Sequence, residues 1–150
     1  MYSSAIVRRP GRNFEDGIST SGLGKPDFSK AVEQHEEYCR ALAKCGLEVI
    51  VLDADERYPD GCFVEDMAIV TPEVAIITRP GAESRMGEEI GISKILSRFR
   101  KIETIKYPGT LDGGDVLRVD NHYYIGISGR TSMEGARQLS GHLSGIGYNS

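Results

Sequence analysis

Apolar residues along this chain change their spacing in a regular order, and each change marks an element. SAIVRR at 4–9 reads as a short strand. Residues 28–45 then place Val32, Tyr38, Leu42 and Cys45 at mixed three- and four-residue intervals, as an amphipathic helix requires, and Gly46 supplies its stop. LEVIVL at 47–52 is rich in β-branched residues and predicts a second strand. After the turn-forming run Arg57-Tyr58-Pro59-Asp60-Gly61, apolar segments from Phe63 to Val70 and at 74–79 flank Pro72-Glu73, which predicts a hairpin. Ser84 precedes a helical stretch to about Arg98, and IETIKY at 102–107 is a further strand. VLRV and HYYIGI form a second hairpin around Asp120-Asn121, followed by a helix from about Ser132 to Leu143.

The order β-β-α-β recurs, and the sequence repeats with it. IVRRPG at 6–11 resembles IITRPG at 76–81, and residues 64–85 share the layout of 114–132: an Asp, a strand, a turn, a strand, then a loop carrying an Arg before a helix. Repeats of about 45–50 residues belong to solenoids, propellers or arrays, where each unit buries its apolar face only against a neighbour. By this pattern the last helix, ending near Gly147-Tyr148, should be followed by a closing strand, so the third repeat reads as incomplete at Ser150.

Composition narrows the function classes. At 150 residues the chain has the size of one ordinary domain, and 39% hydrophobic with 27% charged residues argues against disorder and against a fibrous repeat. A net charge of −4 without a basic run gives no footprint for nucleic acid. The apolar stretches are too short for a membrane, and the N-terminus has no h-region with a cleavage site, so the cytoplasm is the expected location. Cys39, Cys45 and Cys62 are odd in number and form no CxxC pair, which suggests neither a disulfide framework nor a zinc site. Cys39 and Cys45 are expected as small apolar fillers of the first helix. Cys62 lies between Asp60 and Glu65-Asp66, and nearby carboxylates raise a thiol's pKa, so it is badly placed as a nucleophile.

Chemistry concentrates in two loops. ERYPDGCFVED at 56–66 sets Asp60, Glu65 and Asp66 around an expected strand start, where Glu65 and Asp66 would point to opposite faces. PGTLDGGDVL at 108–117 places Asp112 and Asp115 around two glycines. Equivalent loops of repeats arranged around an axis would bring these carboxylates together and hold a cation, although Asp-Gly and Pro-Asp-Gly are also ordinary turn chemistry. Arg85 and Arg130 occupy matching places before helices; each alone reads as a surface residue, but a pair can form a fork for a carboxylate. Acids for a cation and arginines for a carboxylate suggest a zwitterionic ligand of the arginine type.

The sequence resembles the dimethylarginine dimethylaminohydrolases, guanidino-modifying enzymes of the amidinotransferase-like superfamily. DGISTSGLGKPD at 16–27, YPDGCFVED at 58–66, AIITRPGAESR at 75–85, TLDGGDVL at 110–117 and YYIGISGRTSMEGARQ at 123–138 carry the likeness, from about residue 5 to the end. It implies an α/β fold, a five-bladed propeller of ββαβ units of which residues 1–150 form a single incomplete domain of about three blades. It also implies that a cysteine thiolate attacks the guanidinium carbon, a histidine protonates the departing dimethylamine, and water releases citrulline from the covalent adduct. No cofactor and no metal enter that chemistry, and the partner is a small methylated arginine. Asp66 and Asp112 match carboxylates set against the guanidinium or the catalytic histidine, with Asp112 one methylene shorter than the Glu of some relatives. Asp60 and Glu65 match pocket residues, Arg85 and Arg130 those that grip the α-carboxylate, and Ile18 a mobile-loop residue whose backbone reaches the substrate.

The family's histidine and cysteine lie in segments with no counterpart here. His35, His122 and His142 lack the required context and read as surface residues, and the three cysteines fall where the family is non-catalytic. The chain is thus expected either to need the rest of the propeller or to act as a non-catalytic guanidino-binding or partner-binding fragment; an arginine deiminase is the third reading. An open propeller leaves faces unburied, so self-association or pairing with the missing blades is expected.

Overall fold

The computed structural model describes residues 2–150 and divides into two units, one running to Val64 and one from Glu65 to Ser150. In the first, β1 (Ser4–Arg8) and β2 (Glu48–Leu52) pair in parallel with Ile6 opposite Ile50. A parallel pair needs a crossover, supplied by α1 (Phe28–Lys44). Asp27 caps α1 by accepting the Lys30 N–H at 2.8 Å. At the other end Gly46, at φ +85°, lets the Leu47 N–H reach the Leu42 carbonyl and its own N–H reach Ala43.

The packed face of α1 differs from the expected one. Phe28, Ala31, Val32, His35, Cys39 and Leu42 are its partly buried positions, whereas Tyr38 and Cys45 are exposed. At 3.6 residues per turn Tyr38 lies roughly 70° round the helix from the centre of that face, so its three- and four-residue spacings joined two different faces. Cys39 fills the seam as expected; Cys45 does not.

In the second unit β3 (Ala68–Val70) runs antiparallel to β4 (Val74–Ile77), which pairs in parallel with β5 (Lys101–Thr104) across α2 (Glu88–Leu96). The Thr71 hydroxyl closes the hairpin by donating to the Val74 carbonyl and accepting the Val74 N–H. β6 (Val116–Val119) and β7 (His122–Ile125) form a second antiparallel pair, followed by α3 (Met133–Ser144). Ser132 caps α3 through the Gly135 N–H, and after Gly147, at φ +88°, the chain forms a parallel bridge between Asn149 and His122. The β-β-α-β order is therefore present twice, the second time closed by that single bridge. β4 is buried at every position, as befits the middle strand of three, and its core joins Ile69, Val74, Ile76 and Leu111 to Leu139, Leu143 and the Tyr123–Tyr148 edge-on pair.

Several boundaries depart from the sequence reading, and three of them most clearly. The strand expected from Phe63 begins only at Ala68; Val64–Met67 is a 3-10 turn, and Val64 and Met67 are spaced for its three-residue period. The helix expected after Ser84 starts at Glu88, behind a separate 3-10 turn at Glu83–Arg85. β5 ends at Thr104 rather than Tyr107. Among the described residues no helix is long and apolar enough to cross a membrane.

Candidate active site

Within the second unit two short turns meet at glycine. Gly113 opens the 3-10 turn Gly113–Asp115, and a Cβ there would overlap the Glu65 carbonyl oxygen, so no other residue lets the two backbones approach. The Gly114 N–H donates to Asp66 Oδ1 at 2.8 Å. Asp66 Oδ2 accepts Arg85 Nη1 at 2.5 Å. Arg85 in turn lays Nε and Nη2 on the carboxylate of Glu88, at 2.9–3.3 Å. Side chains of Arg85 and Glu88 are 3% and 2% exposed. Burial opposes the charge on Arg85, but the hydrogen bonds it donates to Glu88 and Asp66 outweigh it and hold the guanidinium protonated.

Asp112 is buried and doubly held. Its Oδ1 accepts the Gly81 N–H and its Oδ2 accepts Arg130 Nη1, each at 3.2 Å. Gly81 lies so close under the Arg130 backbone that a Cβ would overlap it, so no other residue fits there. Arg130 keeps 36% of its side chain exposed. Its loop is tied down by Asp115, whose Oδ2 accepts the hydroxyls of Ser128 and Thr131.

In the first unit the Ile18 N–H points at the Asp60 carboxylate, 3.1 and 3.2 Å from its two oxygens, while the Ile18 side chain is exposed. Asp60 is buried and Cys62 half-buried. Glu65, at the start of the second unit, has its carboxyl pKa raised, chiefly by desolvation and further by Asp66; its own backbone N–H and Arg85 act the other way.

Several expectations need correction. Glu65 and Asp66 lie in a 3-10 turn, so strand alternation does not set their directions. Arg85 is buried rather than a surface residue, because two carboxylates accompany it. Asp66, Asp112 and Asp115 each have their own donors, and no three His, Cys, Asp or Glu groups among the described residues could hold a metal ion. All three histidines are half-buried; His35 Nδ1 lies 3.7 Å from Cys39 Sγ, and His122 stacks beside Tyr124. Glu88 was missed altogether. As an acid in the first turn of a helix it reads as a solvated partner of the helix dipole, and only its three-residue offset from Arg85 hints at the fork.

The family model described as "N,N dimethylarginine dimethylhydrolase, eukaryotic" matches residues 25–150. The chain belongs to this family. It is 50% identical over 141 residues to the N(G),N(G)-dimethylarginine dimethylaminohydrolase of Pseudomonas aeruginosa, covering 93% of this chain and 56% of that protein. To the protein of the same name in Streptomyces coelicolor it is 40% identical over 145 residues, covering 95% and 56%. A crystal structure of the P. aeruginosa dimethylarginine dimethylaminohydrolase, a Cys-to-Ser mutant complexed with citrulline, superposes with a TM-score of 0.97 at 48% identity, covering 99% of this chain and 59% of that one. The α/β fold is thus that of the dimethylarginine hydrolases, and the chain spans just over half the length of these relatives.

Proposed function

We propose that this chain forms the substrate-holding part of an enzyme that hydrolyses Nω,Nω-dimethyl-L-arginine to L-citrulline and dimethylamine. The observation that carries the reading is that Asp66 and Asp112 are each fixed by one glycine N–H and one arginine, where Gly113 and Gly81 admit no side chain against the neighbouring backbone. Carboxylates so held are pre-organised to face a cationic guanidinium without rearranging. Asp112 and Asp66 orient the guanidinium or the histidine that serves it; Asp60, Glu65 and the Ile18 backbone line the pocket; Arg85 and Arg130 serve the α-carboxylate. The thiolate of a cysteine outside this stretch adds to the guanidinium carbon, a histidine outside it gives its proton to the leaving dimethylamine, and water then breaks the C–S bond to give citrulline and restore the thiol. Names of the relatives and the citrulline in one of them support this assignment.

The ββαβ units are then blades of a five-bladed propeller, about three of them in residues 1–150. Leu117, Val119 and Tyr124 on the β6–β7 hairpin are exposed, which supports a further blade or a second copy covering that face. Its cysteines are free, in keeping with a cytoplasmic enzyme. The test is to mix the chain with a polypeptide supplying the remaining blades and measure citrulline from dimethylarginine and from arginine. Citrulline from dimethylarginine is expected; none from either substrate would overturn the assignment, and a preference for plain arginine would replace it with a deiminase. Sedimentation of the chain alone as a stable, compact monomer would contradict the expected self-association.

A further inference from the structure

We propose that Asp115 is a positioning residue that sets Arg130 for the substrate's α-carboxylate; this rests on the reading of Arg130 given above. Oδ2 of Asp115 accepts two hydroxyls, Ser128 at 2.7 Å and Thr131 at 2.5 Å, one on either side of Arg130 in the chain. Each hydroxyl is also an acceptor. Ser128 Oγ takes the N–H groups of Arg130 and Thr131, at 2.9 and 3.1 Å, and Thr131 Oγ1 takes the Asp112 N–H at 3.1 Å. A carboxylate can only accept, so both hydroxyl hydrogens point to Asp115 and the hydroxyl oxygens are left to take those N–H groups. The Ser128 N–H closes the turn on the Thr131 carbonyl. One carboxylate oxygen therefore fixes the turn that carries Arg130 and ties it to the backbone of Asp112, the acid Arg130 meets.

Asp115 does this without consuming the charge of Arg130. Its Oδ2 binds two hydroxyls, and the guanidinium leans on Asp112 instead, with a third of the side chain open to solvent. Thr131 is fully buried, so its hydroxyl has no water to fall back on when the acceptor is lost. The expected consequence is selective: removing Asp115 blurs the aim of Arg130 and weakens binding of the carboxylate end, while the guanidinium end keeps its own acids.

The experiment compares two substrates in the assembled enzyme that carries this chain: dimethylarginine, and the amine left when its α-carboxylate is removed. Asp115→Ala is expected to lower the ratio of kcat/KM for the acid over the amine about tenfold, mostly through KM, and Asp115→Asn, which keeps one acceptor oxygen, to restore part of it. Ser128→Ala removes one arm of the clamp and spares buried Thr131; it should shift the ratio the same way by less, and it carries the test should Asp115→Ala not fold. Arg130→Ala is the reference. If Arg130→Ala shifts the ratio and none of the other variants does, the Asp115 proposal is wrong. Equal losses on both substrates for Arg130→Ala would instead overturn the assignment of Arg130 itself.

Discussion

Glu88 offers a measurement of what the buried ion pair contributes. Glu88→Ala removes both oxygens from the Nε–Nη2 edge of Arg85, whose side chain is 3% exposed, and leaves a buried guanidinium with the Asp66 carboxylate on its other edge. Breaking a buried pair outright costs about 3–5 kcal/mol; because Asp66 still neutralises the guanidinium, the expected loss lies at the lower end of that range and comes from the hydrogen bonds that Nε and Nη2 no longer make. Glu88→Gln keeps the shape and one acceptor, and its cost is about 1.5–3 kcal/mol, the range of a hydrogen bond to a charged group. Replacing the pair together, Arg85→Met with Glu88→Leu, should recover most of the loss, since the desolvation of both ions disappears with them; Asp66 retains the Gly114 N–H. The assay is urea unfolding of the full chain, of these variants, and of Arg85→Met and Glu88→Leu singly, which with the double replacement close a double-mutant cycle. A loss below about 1 kcal/mol for Glu88→Ala, the range of an exposed pair, would refute the claim that Arg85 depends on Glu88 for its burial.

Three further perturbations follow from the same geometry. The Glu65 carboxyl has a raised folded pKa, so the fold binds its proton more tightly than the unfolded chain does, and stability falls as pH rises from the ordinary 4.5 through the raised value. Glu65→Gln should therefore gain in Tm over the parent at pH 7 but not at pH 4, by a small amount because Glu65 is exposed; an equal difference at both pH values would refute this. His35 has the opposite sign: burial lowers its folded pKa, the like charge of Arg9 adding to this while the Arg8 backbone and Glu36 partly oppose it, so stability present above 6.5 is lost as pH falls through the lowered value. Thermal melts between pH 7 and pH 5 should show that decline, and His35→Gln should flatten it. Gly113→Ala places a methyl on the Glu65 carbonyl, backbone against backbone, and a cost of about 1–3 kcal/mol is expected in urea, with citrulline formation by the assembled enzyme falling as the two turns part.

Local chemistry made much of the fold legible. The periodic apolar run with Gly46 after it delimits α1 to within a residue, and Ser132 marks the start of α3, because stop and cap residues act over one turn. The hairpins were legible from Pro72-Glu73 and Asp120-Asn121, turn residues between apolar runs. Where interactions are tertiary the sequence reading failed. Val64–Met67 looked like the start of β3, but the Thr78 hydroxyl binds the Asp66 carbonyl and the Thr78 N–H binds that of Met67, drawing this stretch into a turn. Tyr38 satisfied a helical spacing and still faced solvent, since spacing alone does not say which of two overlapping stripes meets β-structure. Acids and arginines of the candidate site were picked out by residue type; their partners, Glu88 for Arg85 and the Ser128–Thr131 hydroxyls for Asp115, were not, because nothing in a residue's identity says whether a neighbour buries it.

The two arginines show how far equivalence in sequence carries. Arg85 and Arg130 stand at matching places in successive repeats, which suggests a symmetric fork. Their surroundings are not symmetric. Arg85 is one positive charge between two carboxylates in a closed setting, so its nearest field is already negative; Arg130 faces one buried carboxylate and keeps a third of its side chain at the surface. A ligand carboxylate approaching Arg85 meets Asp66 and Glu88 as well, and the like-charge repulsion is poorly screened at that depth. At Arg130 it competes only with Asp112, whose second oxygen is held back by the Gly81 N–H. The repeat therefore places two guanidinium groups alike but gives the proposed fork unequal prongs, Arg85 shared with two acids and Arg130 with one.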